Sequence, residues 1–164
     1  MSSSLRHLSN AQARPEPTWK ALLESAAVEV FEIMAGARLE PIVNCADEPQ
    51  GDRTAMVGMA GALCGMMTIR CSGQSAAKLA TRMLDGDAAE NPTTACDALG
   101  ELCNMVAGNF KSKVSSLADR CMLSVPTVIR GEDYVMQPVN FNEALTLALS
   151  FEGAPLWISL IIHV

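Results

Sequence analysis

A nine-residue stretch recurs in degenerate form in this chain. Val28-Glu29-Val30-Phe31-Glu32-Ile33-Met34-Ala35-Gly36 aligns with Gly100-Glu101-Leu102-Cys103-Asn104-Met105-Val106-Ala107-Gly108, 72 residues further on. Each copy lies in a stretch of helical apolar period, and each is followed by extended segments and a hairpin pattern. The hairpins bend at a Gly-Ala pair, Gly61-Ala62 in the first and Gly153-Ala154 in the second. Helix-then-hairpin units repeated in one chain fold most simply as two related halves about a pseudo-two-fold axis. The predicted fold class is α/β (α+β): two pseudo-symmetric helix-plus-hairpin halves, with long helices packed on one mostly antiparallel sheet. With 164 residues the chain has single-domain length and can bury a core without staples.

Residues Met1–Pro17 are polar and broken by Pro15 and Pro17, which reads as a flexible N-terminal tail ahead of one domain at 18–164. Thr18 is the expected N-cap of a first helix that stops at Gly36, with Leu23, Ala27, Val30, Phe31 and Met34 as its buried stripe. Arg38–Ala46 reads as extended and Asp47–Arg53 as a loop. Thr54–Cys71 reads as a hairpin whose Met56–Met67 stretch belongs to the core rather than to a binding surface. Ser72 caps a helix ending at Gly86, and Asp87–Asn91 leads to Pro92 in the first turn of the next helix. Cys121–Arg130 is a strand interrupted by Pro126, and Gly131–Asn140 a polar loop. Glu143–Glu152 and Pro155–Val164 are the closing strands. β-branched residues on both faces of the last run make it either a central strand or one used in an interface.

Several function classes are excluded or disfavoured. A net charge of −6 and the absence of a Lys/Arg run argue against a nucleic-acid partner. The six cysteines include no Cys-x-x-Cys pair and stand far from histidine, so no metal site is expected. MSSSLRHLSN has no apolar core segment, and Pro155–Val164 is too short to cross a bilayer. A reduced, cytoplasmic protein without membrane insertion is the expectation. His7 and His163 sit at opposite ends with no nucleophile at interpretable spacing, and the glycines at 58, 61 and 65 match no nucleotide-binding loop.

The second copy of the repeat carries the chemistry. Asn91–Ser116 reads as one helix with Leu99, Leu102, Cys103, Val106, Phe110 and Leu117 on its apolar face. At roughly 100° per residue, Glu101 and Asn104 stand one turn apart on the other side, with Gly108 one turn beyond. Asp97 and Ser112 extend that stripe. Ala107, Gly108 and Ser112 put little bulk in the way of a flat partner. Asp97 reads first as a solubilising carboxylate, and Lys111 and Lys113 as dipole-complementing choices that could also meet an acidic partner. The first copy has Glu32 where the second has Asn104. A carboxylate there puts a negative charge where the second copy has a neutral amide, so only the second copy is expected to act.

The string Glu101-Leu-Cys-Asn104-Met-Val-Ala-Gly108-Asn, preceded by Ala-Leu-Gly, resembles the signature helix of the CheC/CheX/FliY family of chemotaxis phosphatases, and most of all the CheX branch, over about Thr18–Val164. The resemblance implies a phosphoaspartate phosphatase acting on a phosphorylated CheY-type response regulator. Asn104 would then orient the attacking water and Glu101 would pair with the regulator's active-site lysine. Asp97, Ala107, Gly108, Lys111 and Ser112 would contact the partner. It further implies no cofactor held by this chain, Mg²⁺ carried by the partner, and a homodimer in which sheet elements pair, with PLWISLIIHV as a suitable strand. A non-catalytic receiver-binding adaptor or flagellar-switch component is the alternative from another class. The amide at position 104 favours the enzyme, because gripping alone does not need it.

Overall fold

The computed structural model describes residues 14–45, 49–84, 91–141 and 143–163. Most of the expected tail, the Gly86 stop and the Asp87–Glu90 connection lie outside them. In chain order the elements are α1 (Trp19–Ala35), β1 (Glu40–Pro41), β2 (Arg53–Gly61), β3 (Cys64–Cys71), α2 (Gly73–Met83) and α3 (Pro92–Lys113). They continue with β4 (Cys121–Leu123), β5 (Thr127–Arg130), β6 (Glu143–Phe151) and β7 (Ala154–His163). The strands form one seven-stranded sheet ordered β1-β6-β7-β3-β2-β4, with β5 also paired to β2. Every pairing among the described strands is antiparallel.

That order contains the symmetry anticipated by the repeat. Exchanging β1 with β4/β5, β2 with β6 and β3 with β7 reverses the list and reproduces it, so the pseudo-axis runs between β3 and β7. Helix α2 has no counterpart among the described elements. The second hairpin turns one residue earlier than its Gly-Ala pair suggests. Phe151 pairs with Ala154, and Glu152 and Gly153 between them both have positive φ, 49° and 79°. Two such residues make a primed turn whose twist matches the flanking strands, and glycine at the second position lowers its strain.

The local stops and starts have identifiable causes. Helix α1 ends where Gly36 adopts φ 54°, with its N–H bonded to the Glu32 carbonyl and the Ala37 N–H to that of Phe31. At the other end Thr18 has helical φ and ψ of −74° and −19° and makes no side-chain cap bond. This corrects its expected role, since capping needs the extended conformation. Ser72 is extended and caps α2 through Ser75 N–H, and Asn91 caps α3 through Thr93 N–H at 2.9 Å, ahead of Pro92. The predicted α3 reached Ser116. It stops at Lys113, and Leu117 reaches the core from the turn beyond it.

One face of the sheet takes the helices. Leu156, Ile158, Leu160 and Ile162 of β7 are fully buried there, together with Ala55, Val57, Met67 and Ile69 of the first hairpin. They meet Leu23, Ala27 and Phe31 of α1 and Leu99, Leu102, Val106 and Phe110 of α3, with Trp19 edge-on to Phe110 at 5.8 Å. Burial raises the thiols of Cys71 and Cys103 to about 12, so both pack as small hydrophobes.

The opposite face is partly roofed by the connection Gly131–Phe141, which must cross β2, β3 and β7 to reach β6. Tyr134 shares a hydrogen bond with Thr54 and lies under the Arg70 guanidinium, 4.5 Å from ring centre to Cζ. The expected polar loop is thus a strap. Strand β7 is internal, hydrogen-bonded to β3 on one side and β6 on the other. Its backbone has no free edge, so it cannot be the strand that pairs across a dimer axis, contrary to the role suggested for PLWISLIIHV.

Candidate active site

Helix α3 lays Leu99, Leu102, Cys103, Val106 and Phe110 into the core, all fully buried. The 3.6-residue period then leaves Asp97, Glu101 and Ser112 exposed, and Asn104 and Gly108 half-buried, along the other side. Neither the Glu101 carboxylate nor the Asn104 amide is engaged in a side-chain hydrogen bond or ion pair among the described residues. Ser112 is more self-contained, with its hydroxyl donating to the Gly108 carbonyl at 2.9 Å. A Cβ added at Gly108 would meet only Leu123 Cδ1, at 3.9 Å, so the helix surface there is bare. The hollows lined by Pro49–Asp52 with Tyr134, and by Lys20 and Glu24 with Trp157, lie elsewhere. This site is a helix face and lies in neither hollow.

Two expected contact residues are placed otherwise. Ala107 has no exposed surface, because position 107 lies one turn from Cys103 on the core side, so it cannot touch a partner. It serves by being small within the packing. Lys111 is half-buried, and its ammonium donates to the Cys121 carbonyl at 2.6 Å, tying β4 to the last turns of α3. Lys113 pairs with Glu29 at 2.7 Å. Both lysines therefore work within the chain.

Glu29 is the first-copy counterpart of Glu101, and its surroundings differ completely. It accepts from Lys113 Nζ, from Asn109 Nδ2 at 3.0 Å and from Ser25 Oγ at 3.2 Å. The Lys113 bond, then the Asn109 bond, hold its carboxyl down at about 2. The same residue type is a clamp between α1 and α3 in one half and an unengaged carboxylate in the other. Glu32, in the place of Asn104, is exposed on α1.

The sequence reading missed the wall beside the helix. Pro126, between β4 and β5, and Val128 of β5 pack on Gly100, where an added Cβ would meet Val128 Cγ2 at 3.2 Å and Pro126 Cβ at 3.5 Å. Leu123 borders Gly108. The break at Pro126 was visible in the sequence, but its partner is 26 residues away and no local pattern links them.

A three-helix layer on one antiparallel sheet, internally two-fold and offering a carboxylate and an amide on a bare helix face, defines an α+β domain whose candidate site is an open helix surface. The particular family follows from comparison. Residues 53–149 match the family model described as chemotaxis phosphatase CheX, and this chain belongs to that family. A curated relative, the CheY-P phosphatase CheX of Thermotoga maritima, is 29% identical over 96 residues, covering 58% of this chain and 61% of its own. The match thus spans less than two thirds of that relative. The chemotaxis protein CheX of Vibrio vulnificus superposes with a TM-score of 0.78 at 20% identity, over 92% of this chain and 100% of its own. CheX in the CheX–CheY–BeF₃–Mg²⁺ complex of Borrelia burgdorferi superposes with a TM-score of 0.70 at 21% identity, over 89% and 98%. These two likenesses establish the fold. No helix among the described residues is long and apolar enough to cross a membrane.

Proposed function

We propose that this chain hydrolyses the aspartyl phosphate of a CheY-type response regulator, using the outward face of α3. The observation that carries the reading is the pair Glu101 and Asn104, one turn apart on the outward side of α3, with neither side chain engaged by another among the described residues. Family membership, the Thermotoga relative and the Borrelia complex support the substrate class.

In this reading α3 lies across the regulator's phosphorylation site. The Asn104 amide hydrogen-bonds a water and holds it in line with the phosphorus–oxygen bond to the aspartate. The water oxygen attacks phosphorus, that bond breaks, and the aspartate leaves as a free carboxylate while the water's protons pass to the released phosphate and to solvent. Glu101 pairs with the regulator's active-site lysine and sets the register of docking, and Asp97 and Ser112 border the contact. The regulator brings its own Mg²⁺, and this chain supplies position rather than metal or base.

Phosphate release from a phosphorylated CheY-type receiver tests it. Asn104→Ala should lower kcat by ~10²-fold or more, as for loss of a single positioning donor. Its melting temperature should stay unchanged, since the amide makes no hydrogen bond among the described residues. Glu101→Ala should act chiefly on KM. Release unaffected by wild-type protein would leave only a receiver-binding adaptor.

A cytoplasmic homodimer belongs to the same proposal. Because β7 is internal, pairing across the axis falls to the outer edge of β6, where Glu143–Leu147 has no strand partner among the described residues. Light scattering at micromolar concentration should give twice the chain mass, and a monomer mass would refute it.

A further inference from the structure

We infer that the β4–β5 connection is the second wall of the docking site, and that Val125 is the side chain that grips the receiver. The inference rests on the proposed function above and names a residue that sets affinity for the partner rather than the rate of the chemistry.

The connection runs beside α3 in the opposite direction. Cys121 is held by Lys111, Leu123 borders Gly108, and Pro126 packs on Gly100. Asn104 lies midway between those two glycines, about 6 Å of helix from each. Residues 124 and 125 lie midway between Leu123 and Pro126 on the facing segment. They therefore stand level with Asn104, which is half-buried where Glu101 is exposed.

The connection is braced. Ser124 N–H donates to the Gly58 carbonyl at 2.9 Å, and Gly58 N–H donates to Ser124 Oγ at 2.8 Å. Pro126 then restricts the backbone of Val125 before it. Val125 is left 84% exposed between these anchors, an apolar side chain on a rigid support. A receiver that brings its phosphoryl group to Asn104 must lie along α3, and on this side the wall is the first surface it meets. A branched apolar residue there offers the docked receiver an apolar contact beside the phosphoryl group. It would lose its water only when the partner is seated, which is how a central interface contact contributes most.

Binding and turnover separate this inference from the reading beneath it. Single-domain receivers from the same organism, each loaded with beryllofluoride and Mg²⁺, are titrated against wild type, Val125→Asp, Val125→Ile and Asn104→Ala. Wild type should bind at least one. Val125→Asp should weaken that binding by about tenfold or more and raise KM for the phosphorylated receiver with little change in kcat. Val125→Ile should stay within about twofold of wild type, since the apolar contact is kept. Asn104→Ala should lose turnover while keeping affinity. Thermal unfolding of Val125→Asp should match wild type, because the side chain touches no core. Wild-type affinity in Val125→Asp, with an active wild type, would overturn the role of Val125 alone. Failure of wild type to bind any loaded receiver would overturn both this inference and the phosphatase reading.

Discussion

Glu29 and Glu101 occupy the same place in the repeat and have opposite fates, for a reason found in their neighbours. Asn109 and Lys113 lie one and five residues beyond the second copy, on the side of α3 that faces α1, and both reach Glu29. The carboxylate they hold is depressed from an ordinary 4.5 to about 2. A depressed carboxyl contributes stability that is fully present above its unfolded value and is lost as pH falls towards the folded one. Replacing it by Glu29→Gln should therefore open a stability gap to wild type at pH 7 that narrows between about 4.5 and 2, followed by urea unfolding across that range. The gap should be small and salt-sensitive, because the pair is partly exposed. Residue types were legible in the sequence at this scale, whereas their engagement was not. Nothing local to Ala107 or Lys111 announced that one would be sealed and the other tied to a carbonyl.

Among the elements, helix α3 was the most legible, because an apolar stripe of period 3.6 is written in consecutive residues. Asn91 and Pro92 marked its start for the same local reason. Thr18 shows the opposite case, a good capping residue overruled by a backbone already turning into helix. The central ladder between β3 and β7 is closely spaced at Gly65. A Cβ on Gly65 would lie 2.3 Å from the Ile161 carbonyl oxygen. That oxygen belongs to backbone in the middle of the sheet and cannot swing aside. Gly65→Ala should cost about 1–3 kcal/mol, as overpacking does in a well-packed core, read as a lower urea midpoint with an unchanged slope. The glycine's backbone is ordinary there, so the effect is one of space and not of conformational freedom.

The two halves of the whole molecule are related but not separable. Strand β1 of the first half pairs with β6 of the second, β4 and β5 of the second pair with β2 of the first, and β3 and β7 meet at the pseudo-axis. Each half alone would expose strand edges and the apolar undersides of its helix. Fragments 14–84 and 91–163 should therefore lack cooperative unfolding singly, while the full chain loses helix signal and tryptophan signal in one coincident transition. Circular dichroism and fluorescence on the three samples check this. Alone, the sequence determined the helices, the hairpins, their duplication and the outward pair Glu101 and Asn104, because each is encoded within a few turns of contiguous chain. Tertiary structure alone decided that Glu29 is a clamp, that β7 is internal, and that Leu123–Pro126 walls the helix face. Each of these depends on residues that sit tens of positions apart in the chain and become neighbours only when the sheet closes.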